Sequence, residues 1–183
     1  MKNITISLIS WFILCLMLLI SFEQYVTPEE NTKLFPVRIN GKYGYIDQHG
    51  NLIIKPQFEN YDVFFDDAEF SEGLARVRLE KKFGYINELG KLVIKPQFDL
   101  ALAFSEGLAW VRCQSKGKFG SIDKNGKVVI KPLYDNPASF FNGLAGVEIN
   151  GKKGFIDKDG NLIIEARFSF VGLFSEGYAP VSI

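Results

Sequence analysis

Residues 84–98 read GYINELGKLVIKPQF, and Phe104-Ser105-Glu106-Gly107-Leu108 follows six residues later. Gly84 opens a short aromatic and apolar run. Asn87-Glu88-Leu89-Gly90 then forms a turn signal: Asn bonds the backbone two residues on, and glycine at the fourth position takes the left-handed conformation. Leu92-Val93-Ile94 is a β-type run, and Lys95-Pro96 follows it. The same passage recurs on both sides, as GYIDQHGNLIIKPQF (44–58), GSIDKNGKVVIKPLY (120–134) and GFIDKDGNLIIEARF (154–168). Third glycines stand at Gly73, Gly107, Gly143 and Gly177. The base period is 34 residues; the first unit is longer by six between Phe58 and Phe70, the second by two in Gln114-Ser115-Lys116-Gly117. A fixed period of this size marks a repeat architecture, in which one unit cannot bury its own apolar face.

Each unit predicts a three-stranded antiparallel meander and a return loop, so the fold class is all-β. Asn40-Gly41 and Asn150-Gly151 join alternating runs and predict type I′ turns, which need positive φ twice; Glu80-Lys81 holds the same place with poorer residues. The third run (Leu52-Ile53-Ile54, Leu92-Val93-Ile94, Val128-Val129-Ile130, Leu162-Ile163-Ile164) is apolar on both faces, which predicts cover on both. The proline after it predicts the end of pairing. Stacked units are expected to bury Phe58, Phe98, Tyr134 and Phe168 together with Phe70, Phe104, Phe140 and Phe174. Gly44 and its counterparts predict either close backbone approach or an aromatic laid across them. Phe35–Ile39 matches Ala179–Ile183 in pattern, and the fourth unit is degenerate at Glu165-Ala166-Arg167. Two endings follow, an open β-solenoid-like array or a propeller-like ring.

These aromatic-Gly pairs, Ile-Asp turns and Phe-Ser-Glu-Gly endings resemble the bacterial WG (KWG) repeat family over residues 34–183. The family's Trp is replaced by Tyr43, Phe83 and Phe119, and Lys153 stands there in the fourth unit. The resemblance implies a repeat module of an exported or surface-associated protein and no catalytic residue.

Ahead of the array, residues 4–22 carry no charge. As a helix they would span about 28 Å, close to a bilayer's hydrocarbon core. Lys2 precedes the run and Glu23, Glu29 and Glu30 follow it, which predicts export of the remainder. Residues 1–22 read as a signal-anchor or a cleaved signal peptide, 23–33 as a polar linker and 34–183 as the array. The expected location is the cell membrane with an extracytoplasmic domain, or a secreted or periplasmic protein after cleavage.

The 21 Lys+Arg against 21 Asp+Glu exclude the basic surplus of a nucleic-acid binder. No catalytic, cofactor or metal motif is found. His49 falls at a turn position of varied identity, and Asp47, Asp123 and Asp157 share a turn-capping slot with Asn87. Cys113 occupies the slot of Ile39, Leu79 and Ile149, which predicts a core thiol. The acidic stretch of Glu59, Asp62, Asp66, Asp67, Glu69 and Glu72 reads as an exposed loop rather than a calcium site. Trp110 stands where other units have Pro36, Arg76, Gly146 and Pro180. That variety predicts a surface position shared with Arg112, and with Arg76 and Arg78 one unit earlier, as an interaction face. The expectation is a binding or scaffold module for protein or envelope-polymer partners. The alternatives are a glycan-binding or glycan-acting protein using Glu72, Glu106 and Glu176, and a structural spacer.

Overall fold

The computed structural model describes residues 33–59, 68–173 and 177–183. The apolar run 4–22, the linker to residue 32, Asp62, Asp66, Asp67, Phe174 and Glu176 lie outside the described residues. Those described form antiparallel sheets and no helix.

Unit one comprises β1 (Phe35–Ile39), β2 (Lys42–Ile46) and β3 (Leu52–Glu59). Unit two has β4 (Leu74–Leu79), β5 (Lys82–Asn87), β6 (Leu92–Phe98) and the short return strand β7 (Leu100–Ala101). Unit three has β8 (Leu108–Arg112), β9 (Phe119–Asp123) and β10 (Val128–Tyr134). Unit four has β11 (Leu144–Ile149), β12 (Lys152–Asp157), β13 (Leu162–Phe168) and β14 (Phe170–Val171), followed by β15 (Val181–Ser182). Within each unit the first three strands pair in sequence order, as the period predicts. The return strand crosses to the next first strand: β7 pairs with β8, and β14 with β15.

The hairpin turns behave as type I′ turns require, with positive φ at Asn40 and Gly41 and at Asn150 and Gly151. Glu80 (φ 50°) and Lys81 (φ 64°) adopt the same shape although both carry a Cβ. A left-handed conformation costs about 1–2 kcal/mol per ordinary residue. Replacing Glu80-Lys81 by Asn-Gly is therefore expected to raise stability by about 1–2 kcal/mol, read as a later urea midpoint at unchanged m-value.

Two expectations about the third strand are corrected. Pairing runs through the proline instead of stopping there. Phe83 pairs with Phe98 and Tyr85 with Ile94, so two steps on β5 face four on β6, and Pro96 lies in the resulting bulge. A bulge removes residues from the ladder, so the missing proline N–H costs no bond. The same bulge brings backbone onto the repeated glycine. A Cβ at Gly84 would meet the Ile94 carbonyl oxygen at 2.5 Å and Pro96 N at 2.7 Å. Gly44, Gly120 and Gly154 meet the matching atoms at similar distances, so the close approach read from the sequence is realised. Nor are both faces covered: only the third apolar residue (Ile54, Ile94, Ile130) is buried, while Leu92, Val93, Val128, Val129, Leu162 and Ile163 stay exposed.

The core lies between units. One cluster joins Tyr45, Ile54 and Phe58 of unit one to Ala75, Val77 and Ile86 of unit two. The next joins Phe83, Tyr85, Ile94, Phe98 and Phe104 to Ala109, Val111 and Ile122, and the third repeats the pattern around Trp110, Tyr134 and Phe140 with Ala145, Val147 and Ile156. Successive turn glycines rest on the preceding isoleucine: Cβ positions at Gly90, Gly126 and Gly160 lie 3.1, 3.4 and 3.3 Å from Ile54, Ile94 and Ile130. Every cluster thus draws on two neighbours, the nearest-neighbour logic of a repeat array.

Candidate functional site

The residue after each repeated glycine faces a partner on the unit's first strand. The pairs are Pro36 with Tyr45, Arg76 with Tyr85, Trp110 with Ser121 and Gly146 with Phe155. Tyr45 donates its hydroxyl to the Ala68 carbonyl (2.8 Å), and Tyr85 donates to the Leu102 carbonyl (2.7 Å). In unit three the tyrosine is Ser121, and the indole comes from the facing strand: Trp110 Nε1 donates to the Ala138 carbonyl (2.9 Å). All three carbonyls stand two residues before a return-loop aromatic, Phe70, Phe104 or Phe140. Those aromatics close on the donor ring, with centroids 5.0 Å apart for Tyr45 and Phe70, 4.9 Å for Tyr85 and Phe104, and 5.5 Å for Trp110 and Phe140.

The surface position expected of Trp110 is therefore corrected; it is 2% exposed. Its slot varies in identity because bulk is exchanged across the strand pair, not because the slot faces water. Arg76 is 3% exposed, bonds the Ala101 carbonyl through Nη1 and lies 5.6 Å from the Phe83 ring centroid. Arg78 also lies over Phe83 (5.7 Å), with Glu59 3.8 Å away, and Arg112 lies over Phe119 (5.0 Å). The cations thus cover the aromatics that stand in the place of the repeat's Trp, a contact favoured by the ring quadrupole. Arg76, Arg78, Trp110 and Arg112 do not form one exposed face. The Cys113 expectation is corrected as well: the thiol is free and exposed just past the end of β8, and the slot is not a core position in other units either, since Ile39 is 42% exposed.

The Ser-Glu-Gly endings link one unit to the next. Ser71 Oγ donates to the Phe104 carbonyl and Ser105 Oγ to the Phe140 carbonyl, each at 2.7 Å. The Glu72 carboxylate accepts from Gly107 N (3.0 Å) and pairs with Lys124 (3.1 Å), and Glu106 accepts from Gly143 N (2.8 Å). Partial burial works to raise the Glu72 pKa, but the bonds from Lys124 and Gly107 outweigh it and hold the carboxyl below its ordinary range. Phe141-Asn142 replaces Ser-Glu in the third ending, so this pair of side-chain bonds is not repeated from there.

The turn carboxylates are caps, as read from the sequence. Asp47 Oδ1 accepts from His49 N and Asn51 N, both at 2.8 Å, and Asn87 Oδ1 accepts from Leu89 N and Lys91 N at 3.2 and 3.0 Å. His49 is an exposed turn residue. Bonds from the Asn51 and Asn161 side chains, partly opposed by burial and helped by backbone N–H groups, hold Asp47 and Asp157 below the usual carboxylate pKa. A group depressed in the folded state stabilises above its unfolded pKa of about 3.9 and loses that contribution as pH falls through its folded value. Urea midpoints are therefore expected to fall below about pH 4, and the double variant Asp47→Asn, Asp157→Asn is expected to flatten that limb.

Among the described residues no group of three His, Cys, Asp or Glu side chains is placed to hold a metal ion, and no helix is long and apolar enough to cross a membrane. Four consecutive segments, residues 43–83, 83–116, 119–152 and 154–183, match the family described as WG containing repeat. The chain belongs to the WG repeat family. Comparisons with curated proteins and with solved structures gave no match. Each family match begins at or beside the glycine that seats the bulge, on the second strand of a meander, so the WG unit is offset from the meander by one strand and ends with the first strand of the next. The exchange of Tyr for Trp across the strand pair was missed in the sequence. Its trace there was Ser121 breaking an aromatic series in the unit that also holds the array's one Trp.

Proposed function

We propose that this WG array is a membrane-tethered or exported binding or scaffold module for protein or cell-envelope partners. The observation that carries the reading is how its recurring polar residues are spent. Glu72 and Glu106 bond backbone of the following unit, Ser71 and Ser105 do the same, and the Asp series caps turns. Carboxylates so engaged favour a binding surface over a glycan-acting site, which needs acids aimed at a ligand. The uncharged run 4–22 supports tethering. An open array is favoured over a ring: Gly50 has nothing within 4 Å of its Cβ position, whereas each later turn glycine rests on an isoleucine, and Ile164 is only half-buried.

Cross-linking on intact cells followed by mass spectrometry tests this. Enrichment of the same envelope components over a control carrying residues 1–33 on an unrelated domain is expected. Equal recovery by the control would remove the binding role and leave a spacer.

A further inference from the structure

Both faces of each third strand carry apolar residues, yet the chain covers only one. In β6 and β10 the buried residues are Ile94 and Phe98, Ile130 and Tyr134. Leu92, Val93, Val128, Val129 and Leu133 lie outside that core, between 38% and 61% exposed. Lysines stand among them: Lys91 and Lys95 in unit two, Lys127 and Lys131 in unit three, all exposed. Among the described residues none of these four lysines has an ion pair. Residues 91–98 and 127–134 contain no Asp or Glu, and the acids that follow, Asp99 and Asp135, pair with Lys82 and Lys118. The two patches adjoin, because the Cβ position of Gly126, just before Lys127, lies 3.4 Å from Ile94, which stands between Val93 and Lys95. Gly90 and Ile54 adjoin in the same way, which carries the row back to exposed Leu52. Lysine on an edge strand guards against pairing with another chain. That duty does not call for bare leucine and valine beside it.

We infer that this row of third strands docks on an anionic lipid bilayer. Leu92, Val93, Val128 and Val129 enter the headgroup boundary, and the lysines around them meet lipid phosphates. Charge complementarity argues for this occupant: the chain as a whole is neutral, whereas this row is basic and apolar together. A bilayer of anionic lipids offers negative charge and apolar depth in one surface. A soluble polyanion would answer the lysines and leave the leucines and valines in water. The tether argues for it too. Ten residues, 23–32, separate the uncharged run 4–22 from Lys33. Fully extended they reach at most about 35 Å, so a chain anchored by that run holds the row beside the bilayer at high effective concentration. The inference deepens the membrane-tethered reading and rests on it for the nearness of the lipid.

The test uses the full chain reconstituted in vesicles of phosphatidylcholine alone or of equal parts phosphatidylcholine and phosphatidylglycerol. A bimane on Leu133→Cys, with Cys15→Ser and Cys113→Ser, reports on the row through quenching by neutral acrylamide. Protection from the quencher is expected in the mixed vesicles and not in phosphatidylcholine. It is expected to vanish at about 1 M salt, where the Debye length falls to about 3 Å. One lysine near an anionic surface is worth about fivefold in binding. Replacing Lys91, Lys95, Lys127 and Lys131 by Gln is therefore expected to weaken docking on the order of several hundredfold and to restore quenching. These lysines have no ion pair to lose, so the fold stays intact. Equal quenching in the two vesicles, or protection that survives the four substitutions, would overturn the proposal. Protection in phosphatidylcholine that rises with the protein-to-lipid ratio would assign the cover to a second copy. The same protection from soluble polyphosphate added to phosphatidylcholine vesicles would assign it to a soluble polyanion. Either result overturns the bilayer. Failure of the tether is read separately: a chain that does not float with phosphatidylcholine vesicles is not anchored, and flotation with the mixed vesicles alone still reports the row.

Discussion

Gly84→Ala is expected to destabilise the chain by about 3 kcal/mol or more, at the upper end of what overpacking costs. The added Cβ would sit 2.5 Å from the Ile94 carbonyl oxygen and 2.7 Å from Pro96 N. Both are backbone atoms, so no side chain can swing away, and relief requires undoing the bulge that seats Pro96. Undoing it would slide Phe98 off Phe83 and disturb the core shared by units two and three. Gly73→Ala is the control. It has positive φ (82°) but nothing within 4 Å of its Cβ position, so only the left-handed strain of about 1–2 kcal/mol applies. Urea unfolding followed by far-UV circular dichroism separates the two. A Gly84→Ala midpoint no lower than that of Gly73→Ala would contradict the packing account.

Trp110→Ala is expected to cost about 3–5 kcal/mol, the range for truncating a large buried aromatic. The indole lies nearly parallel to Phe140 (8°), meets Tyr134 edge-on at 5.9 Å and donates to the Ala138 carbonyl. A surface residue would cost within about 0.5 kcal/mol, so the magnitude alone distinguishes the two placements. The rescue is more specific. Trp110→Arg with Ser121→Tyr installs the unit-two pair and returns a hydroxyl donor from the other strand. The double variant is expected to be more stable than Trp110→Arg and Ser121→Tyr would give by addition, a coupling readable in a double-mutant cycle. Strict additivity would mean that the two strands do not exchange the ring.

How much of this was legible in the chain depended on whether the cause was local. Asn40-Gly41 and Asn150-Gly151 announced their turns because positive φ is a property of those residues alone. The Asp47 turn bonds atoms two and four residues away, and it too was readable. The Gly44 series was legible as a place without room for a side chain, but whether backbone or an aromatic ring lay against it was not, and the structure shows backbone. Cys113 was misplaced because apolar residues in the matching slots suggested a core position, whereas that slot lies at the strand's end, where Ile39 is 42% exposed. Pro96 was misread as a terminator because its partner in the bulge, Gly84, lies on another strand. Trp110 was misread because its slot was compared down the repeats instead of across the hairpin, where Ser121 explains it.

The sequence by itself determined the all-β class, the period, the turns and the family, since all of these are written in spacings and backbone preferences within one unit. The tertiary structure alone decided which face of each third strand is buried, that Glu72 and Glu106 cap glycines of the following unit, and that Trp110 supplies from the facing strand the ring that Ser121 lacks. Those features depend on contacts between units 30 or more residues apart, and packing of that kind is set by which surfaces meet, not by the local preferences of either segment.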